Sequence, residues 1–219
     1  MVETLRWLAT ARAAANVMNE SLPVPPLRGV IFDMDGTLTA PAIDFAEMRR
    51  RLGIPAGDIL VTINAWSEAD RLAAYAIIEE IEEKARRELV LQPGLHELMA
   101  LLDERAIRKA IVTRNTARTV AHLLRHMNTT FSEIVTREFE PFKPHPEPAL
   151  HICRQWRIAP ACVLMVGDYR DDLLCGRAAG TRTCLLRNER NGDFASLADH
   201  VVADLYELRG LISRLSAPE

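Results

Sequence analysis

Short apolar runs alternate along most of the chain with longer segments whose apolar positions recur every three or four residues. The runs at 29–32, 109–112, 133–136, 162–166, 183–186 and 200–202 predict strands. The segments 94–105, 117–127, 148–156, 173–179 and 205–214 predict helices. Strands alternating with helices imply an α/β chain, a Rossmann-like three-layer core with a parallel sheet covered by helices. Such cores bind ligands outside the carboxyl ends of their strands. The rhythm fails in two places. After the first strand, residues 41–90 contain no strand pattern; "DFAEMRRRLG", "GDILVTINAW" and "SEADRLAAYAIIEEIEEKARREL" predict three inserted helices. Residues 1–26 stand apart as well: "VETLRWLATARAAANVMNE" predicts a packing helix, and "LPVPPL" ends it before the first strand.

Composition narrows the class. The 219 residues are 48% hydrophobic and 26% charged, as in a globular chain with one main core and a smaller accessory unit. A formal net charge of -3 argues against nucleic acid as a partner, because phosphate backbones are met by basic faces. No apolar stretch approaches the ~18 to 20 residues that cross a bilayer. Cys153, Cys162, Cys175 and Cys184 show no C-x-x-C spacing, which suits buried thiols in a reducing compartment. The cytoplasm is therefore the expected location. Arg6 and Arg12 in an Ala-rich segment raise organellar import as an alternative, against which Glu3 and Glu20 count.

Chemistry gathers at the ends of the predicted strands. "GVIFDMDGTLT" releases Asp33 and Asp35 after an apolar run, and "VLMVGDYRDD" repeats the arrangement with Asp168 and Asp172. Two acidic clusters converging on one edge repel, and a divalent cation such as Mg²⁺, bound by hard oxygens, relieves that repulsion. Helix capping alone would also account for Asp168 and Asp172. "KAIVTRN" delivers Thr113 and Asn115, a hydroxyl and an amide suited to phosphoryl oxygens. In "EPFKPHPEP" four prolines stiffen the segment that carries Lys143, a placed positive charge.

These four stretches, in this order, resemble the signature motifs of the haloacid dehalogenase-like hydrolase superfamily: "DMDGT", Thr113, Lys143 in "KPHPEP", and "GDYRDD". The resemblance spans about residues 28–208. It implies a core of residues 27–40 and 91–219 and makes residues 41–90 a short helical cap, like that of phosphoglycolate-phosphatase-like and β-phosphoglucomutase-like members. A cap that short is expected to cover the site less completely.

The resemblance also implies roles. Asp33 is the nucleophile that forms an aspartyl-phosphate, and Asp35 the general acid and base. Gly36 permits the sharp turn and Thr37 braces the loop. Asp33, the backbone carbonyl of Asp35 and Asp168 are the expected Mg²⁺ ligands. Lys143 neutralises charge on Asp33 and the phosphoryl group, Thr113 and Asn115 hold phosphoryl oxygens, and Asp172 orients Lys143 or a metal-bound water. The implied activity is Mg²⁺-dependent hydrolysis of a small phosphorylated metabolite. A mutase that passes the phosphoryl group to a sugar hydroxyl shares every one of these motifs. A non-catalytic binding module on the same fold is a third reading, against which the intact polar set argues. Asp35 is out of place in a dehalogenase, and Lys84, the single lysine of the insertion, lies too late in its helix for a phosphonatase.

Other features have plainer readings. His122 and His126, four apart, lack acidic or cysteine partners nearby and read as a solvated helix face. Arg49, Arg50 and Arg51 read as a charged face, with contact to an anionic substrate as the alternative. "EEIEEKARRE" reads as a helix with internal ion pairs, and Trp66 as a plug for the core of the inserted helices.

Overall fold

Val30 and Phe32 point to one face of their strand and Ile31 to the other, and both sets are fully buried. A strand apolar on both faces needs a layer on each side. The computed structural model, which describes residues 25–217, supplies both layers; the helix expected within residues 1–26 lies outside the described residues. Strands β1 (Gly29–Phe32), β2 (Arg108–Val112), β3 (Glu133–Val135), β4 (Val163–Gly167), β5 (Arg182–Leu186) and β6 (His200–Val202) form one sheet. All neighbours are parallel, in the order β3-β2-β1-β4-β5-β6.

Helices α1 (Phe45–Leu52), α2 (Ile59–Asn64) and α3 (Glu68–Arg87) follow β1, and α4 (Leu95–Glu104) precedes β2. Next come α5 (Ala117–Leu124), α6 (Glu147–Trp156), α7 (Arg170–Ala179) and α8 (Leu205–Leu215). Leu98 and Leu102 of α4, Leu123 of α5 and Leu208 and Ile212 of α8 pack with Phe32, Ile111 and Val166 on one face. Ile152 and Trp156 of α6 and Cys175 of α7 pack with Ile31, Ala110 and Met165 on the other. The expected three-layer α/β core is present. No helix among the described residues is long and apolar enough to cross a membrane.

The expected strands recur within a residue at their ends. Two helices differ more. The α5 helix stops at Leu124, three residues early, where Arg125 closes the last turn and its N–H bonds the His122 carbonyl. The α7 helix starts at Arg170, three residues early, because the Asp172 carboxylate accepts the Tyr169 N–H at 3.0 Å and caps a turn with little apolar pattern.

The three inserted helices have an apolar cluster of their own, with Met48, Leu52, Ile59, Ile63 and Ile78 buried and Trp66 packed against it. Each starts on a side-chain cap: Asp44 accepts from Glu47 N, Asp58 from Val61 N and Ser67 from Asp70 N. Arg50 pairs with Glu47 and Arg51 with Glu80, so these arginines serve the insertion's surface. The chain leaves and re-enters the sheet by a paired stem. Ala40 N donates to Val90 O at 2.9 Å and Gln92 N to Leu38 O at 3.0 Å.

Candidate active site

Strand order reverses beside β1: one branch runs outward through β2 to β3, the other through β4 to β5 and β6. Loops leaving such a switch point diverge and open a crevice. The register sets Phe32 beside both Ile111 and Val166, so the residues that follow β1, β2 and β4 share one edge. Asp33 begins the first of these loops, its N–H bonded to Val166 O at 2.9 Å. Gly36 turns the loop with φ +77°, and a Cβ there would lie 2.2 Å from Asp168 Oδ2. The tightness of that turn is what brings the two acidic loops together.

Lys143 Nζ lies 2.6 Å from Asp33 Oδ1 and 2.6 Å from Asp172 Oδ1. These three groups are nearly sealed from water, Lys143 at 3% exposure and Asp33 at 8%. Burial opposes the charge of Lys143, but Asp172 and Asp33 outweigh it and hold its pKa above the usual lysine range. Burial raises Asp33 well above the usual carboxylate range, with Lys143 pulling the other way. Asp168 is pushed up to about 7 by burial and then by the charge of Asp172.

Oxygens of Asp33, Asp168 and Asp172 lie within 4.8 Å of one another. One lysine among three carboxylates leaves negative charge uncompensated, and hard oxygen donors of this kind fit Mg²⁺. Asp172 is committed elsewhere, one oxygen to Lys143 and the other to Tyr169 N. Asp33 and Asp168 each spend a single oxygen on a donor among the described residues, so these two are the carboxylates with coordination left for a cation.

Asp35 faces a different neighbour. The Asn115 amide donates to Asp35 Oδ2, and also to Thr113 Oγ1 at 3.1 Å. Thr113 Oγ1 accepts a further hydrogen bond from Asn115 N at 3.1 Å. Burial raises the pKa of Asp35, while the Asn115 hydrogen bond opposes the rise. Thr37 is fully buried, but its hydroxyl has no partner among the described residues; the hydroxyl that ties the loop is that of Thr39, bonded to Met34 O at 3.3 Å.

All eight expected residues thus meet at one edge. Sequence reasoning missed Asn188, whose amide donates to Asp168 Oδ2 at 3.1 Å, and Asn191, which donates to Asp168 O at 2.8 Å. The "RNERN" segment leaves the carboxyl end of β5, and the strand-end rule applied to that strand would have found them. Arg114 was missed as well. It pairs with Asp58 at 2.5 Å, approaches Asp171 at 3.4 Å and lies over the Phe142 ring at 4.8 Å. Short as it is, the insertion reaches the site: Ile43, Glu82, Ala85 and Arg86 line a narrow cleft with Met34 and Asp35.

Comparison with known proteins agrees with this geometry. Residues 39–186 match the model of the family described as haloacid dehalogenase-like hydrolase. A haloacid dehalogenase-like hydrolase domain-containing protein of Arabidopsis thaliana is 43% identical, covering 73% of this chain and 71% of its own. A phosphoglycolate phosphatase of Nitrosococcus oceani is 29% identical over 84% of this chain and 96% of its own. The crystal structure of a hydrolase from Pseudomonas syringae superposes with a TM-score of 0.74 at 20% identity, covering 87% of this chain and all of that one, which bears on the fold alone. By its sheet, its strand-end residues and these matches, the chain belongs to the haloacid dehalogenase-like hydrolase family and is a hydrolase.

Proposed function

We propose that this hydrolase cleaves a small phosphomonoester through a phosphorylated Asp33, with Mg²⁺ as cofactor. The observation that carries the reading is the unequal sharing of the Asp33 carboxylate. Its Oδ1 is taken by Lys143 Nζ, and Oδ2 receives no hydrogen bond from the described residues. A carboxylate paired with a lysine through one oxygen, with the other free at the end of the central strand, is a nucleophile aimed into the crevice.

Oδ2 of Asp33 attacks phosphorus in line while the ester P–O bond breaks, and the leaving oxygen takes the proton of the Asp35 carboxyl. Burial, which raises the pKa of Asp35, favours the protonated acid that this step needs. Asp35, now ionised, takes a proton from water as that water attacks the same phosphorus. The bond between phosphorus and Asp33 breaks, phosphate departs and the starting state returns.

Lys143 sets its charge beside the phosphoryl oxygens, and Asp172 fixes the lysine. Thr113 Oγ1 accepts twice from Asn115, so its own proton is free to donate to a phosphoryl oxygen. Asn115 has its amide directed at Asp35 and Thr113, and serves by orienting both. Mg²⁺, held by Asp33, Asp168 and the Asp35 carbonyl, would shield the anionic nucleophile from an anionic substrate. The phosphatase name of the Nitrosococcus oceani relative supports a small phosphorylated metabolite as substrate. The test is phosphate release from p-nitrophenyl phosphate. We expect turnover with Mg²⁺ and none after EDTA; full activity in EDTA, or none under either condition, would sink the reading.

A further inference from the structure

Glu82, on α3 of the insertion, is only 4% exposed and lines the cleft that holds Asp35. Its Oε1 meets the Arg137 guanidinium, but Oε2 is buried with no hydrogen-bond partner among the described residues. An unpaired buried carboxylate oxygen is costly and calls for a donor. Because Asp35 protonates the leaving oxygen, the cleft beside it is where the leaving group lies.

The cations around the cleft are already engaged. Arg86 is bound by Glu79 at 2.6 Å, by Glu83 at 2.5 Å and by Thr119 Oγ1 at 2.9 Å. Arg137 serves Glu82 and the Arg114 carbonyl, and Arg114 pairs with Asp58. A substrate carboxylate would find no unpaired guanidinium there and would face Glu82 instead. A hydroxyl would find an acceptor.

We propose that Glu82 reads a hydroxyl on the leaving group, so that the favoured substrate is the phosphate of a small polyol or sugar and not of a hydroxy acid. The inference rests on the phosphatase reading above. It also runs against a simple transfer of phosphoglycolate from the Nitrosococcus oceani relative, since that substrate carries a carboxylate.

Four substrates test it, with Mg²⁺ present and kcat/KM measured: glycerol 3-phosphate, n-propyl phosphate, 2-phosphoglycolate and p-nitrophenyl phosphate. Wild type should favour glycerol 3-phosphate over n-propyl phosphate by ~10-fold or more, since the analogue leaves a buried acceptor unpaired. It should favour glycerol 3-phosphate over 2-phosphoglycolate at least as strongly. Glu82→Gln, which puts an amide N–H where the carboxyl oxygen lacks a partner, should lower the first ratio. A wild-type ratio near one, faster cleavage of 2-phosphoglycolate, or an unchanged ratio in folded Glu82→Gln each overturns the proposal. If Glu82→Gln does not fold, the wild-type ratios decide alone. Turnover of p-nitrophenyl phosphate with flat ratios leaves the phosphatase reading standing and removes this one; inactivity on all four removes both.

Discussion

Asp33 and Asp35 stand two residues apart on one loop yet meet different partners, and the difference divides their chemistry. Asp33→Asn keeps the shape of the side chain but removes the proposed nucleophile and weakens the pairing with Lys143. Phosphate release should fall to background while circular dichroism stays native; wild-type turnover from protein free of deamidation would refute the role. Asp35→Asn removes the proposed proton donor, and the rate on an alkyl phosphate should drop by ~10² to 10⁴. The loss on p-nitrophenyl phosphate should be smaller, because its leaving group needs less help, and equal losses would count against Asp35 as the acid. Asp33, Asp35 and Asp168 were legible because they lie just past apolar runs, and Lys143 because prolines flank it. Asn188 and Asn191 follow β5 and the same strand-end rule reaches them, whereas Glu82 was not legible, since its meaning lies in partners that only the fold brings near.

Among the elements, the loop after β1 carries a tight constraint. Gly36 has positive φ, and an added Cβ would overlap the Asp168 carboxylate; Gly57 also has positive φ, with nothing within 4 Å of its would-be Cβ. An L-residue in that backbone region costs about 1–2 kcal/mol on its own. Gly57→Ala should therefore lower Tm modestly and keep activity, whereas Gly36→Ala should lower Tm further and lose most turnover. Equal effects would show that the approach of Asp168 adds nothing. Apolar patterning foretold the central strands because strands buried on both faces read as unbroken apolar runs, and the edge strands β3 and β6 by short apolar stretches although Ile134 and Val201 are exposed. It misjudged the start of α7, where the Asp172 cap governs the first turn and no apolar face marks it.

On the scale of the whole molecule, the sequence carried the strands but not their spatial order, because pairing depends on which crossovers pack and not on local pattern. That order sets β1 beside β4 and so gathers carboxylates whose repulsion the fold must bear. Whatever offsets the repulsion should stabilise the native state by mass action. Mg²⁺ at millimolar concentration should raise Tm of the wild type in differential scanning fluorimetry and do so far less for Asp168→Asn; equal shifts would place the binding elsewhere. Ca²⁺, which takes more oxygens and readily binds a carboxylate through both, should compete with Mg²⁺ and suppress turnover by engaging the oxygen that attacks. Hydrolysis as fast with Ca²⁺ as with Mg²⁺ would contradict the proposal that Asp33 is both cation ligand and nucleophile.

The stem formed by Ala40 with Val90 and Leu38 with Gln92 sets the two ends of the insertion side by side. A chain with residues 41–89 exchanged for a two-residue turn would keep Asp33, Lys143, Asp168 and Asp172 on an unbroken sheet. It should still turn over p-nitrophenyl phosphate, slowly and with little regard for the alcohol released. Because the graft point is a pair of backbone hydrogen bonds across two adjacent segments, the inserted helices are exchangeable cargo on a fixed chemical chassis.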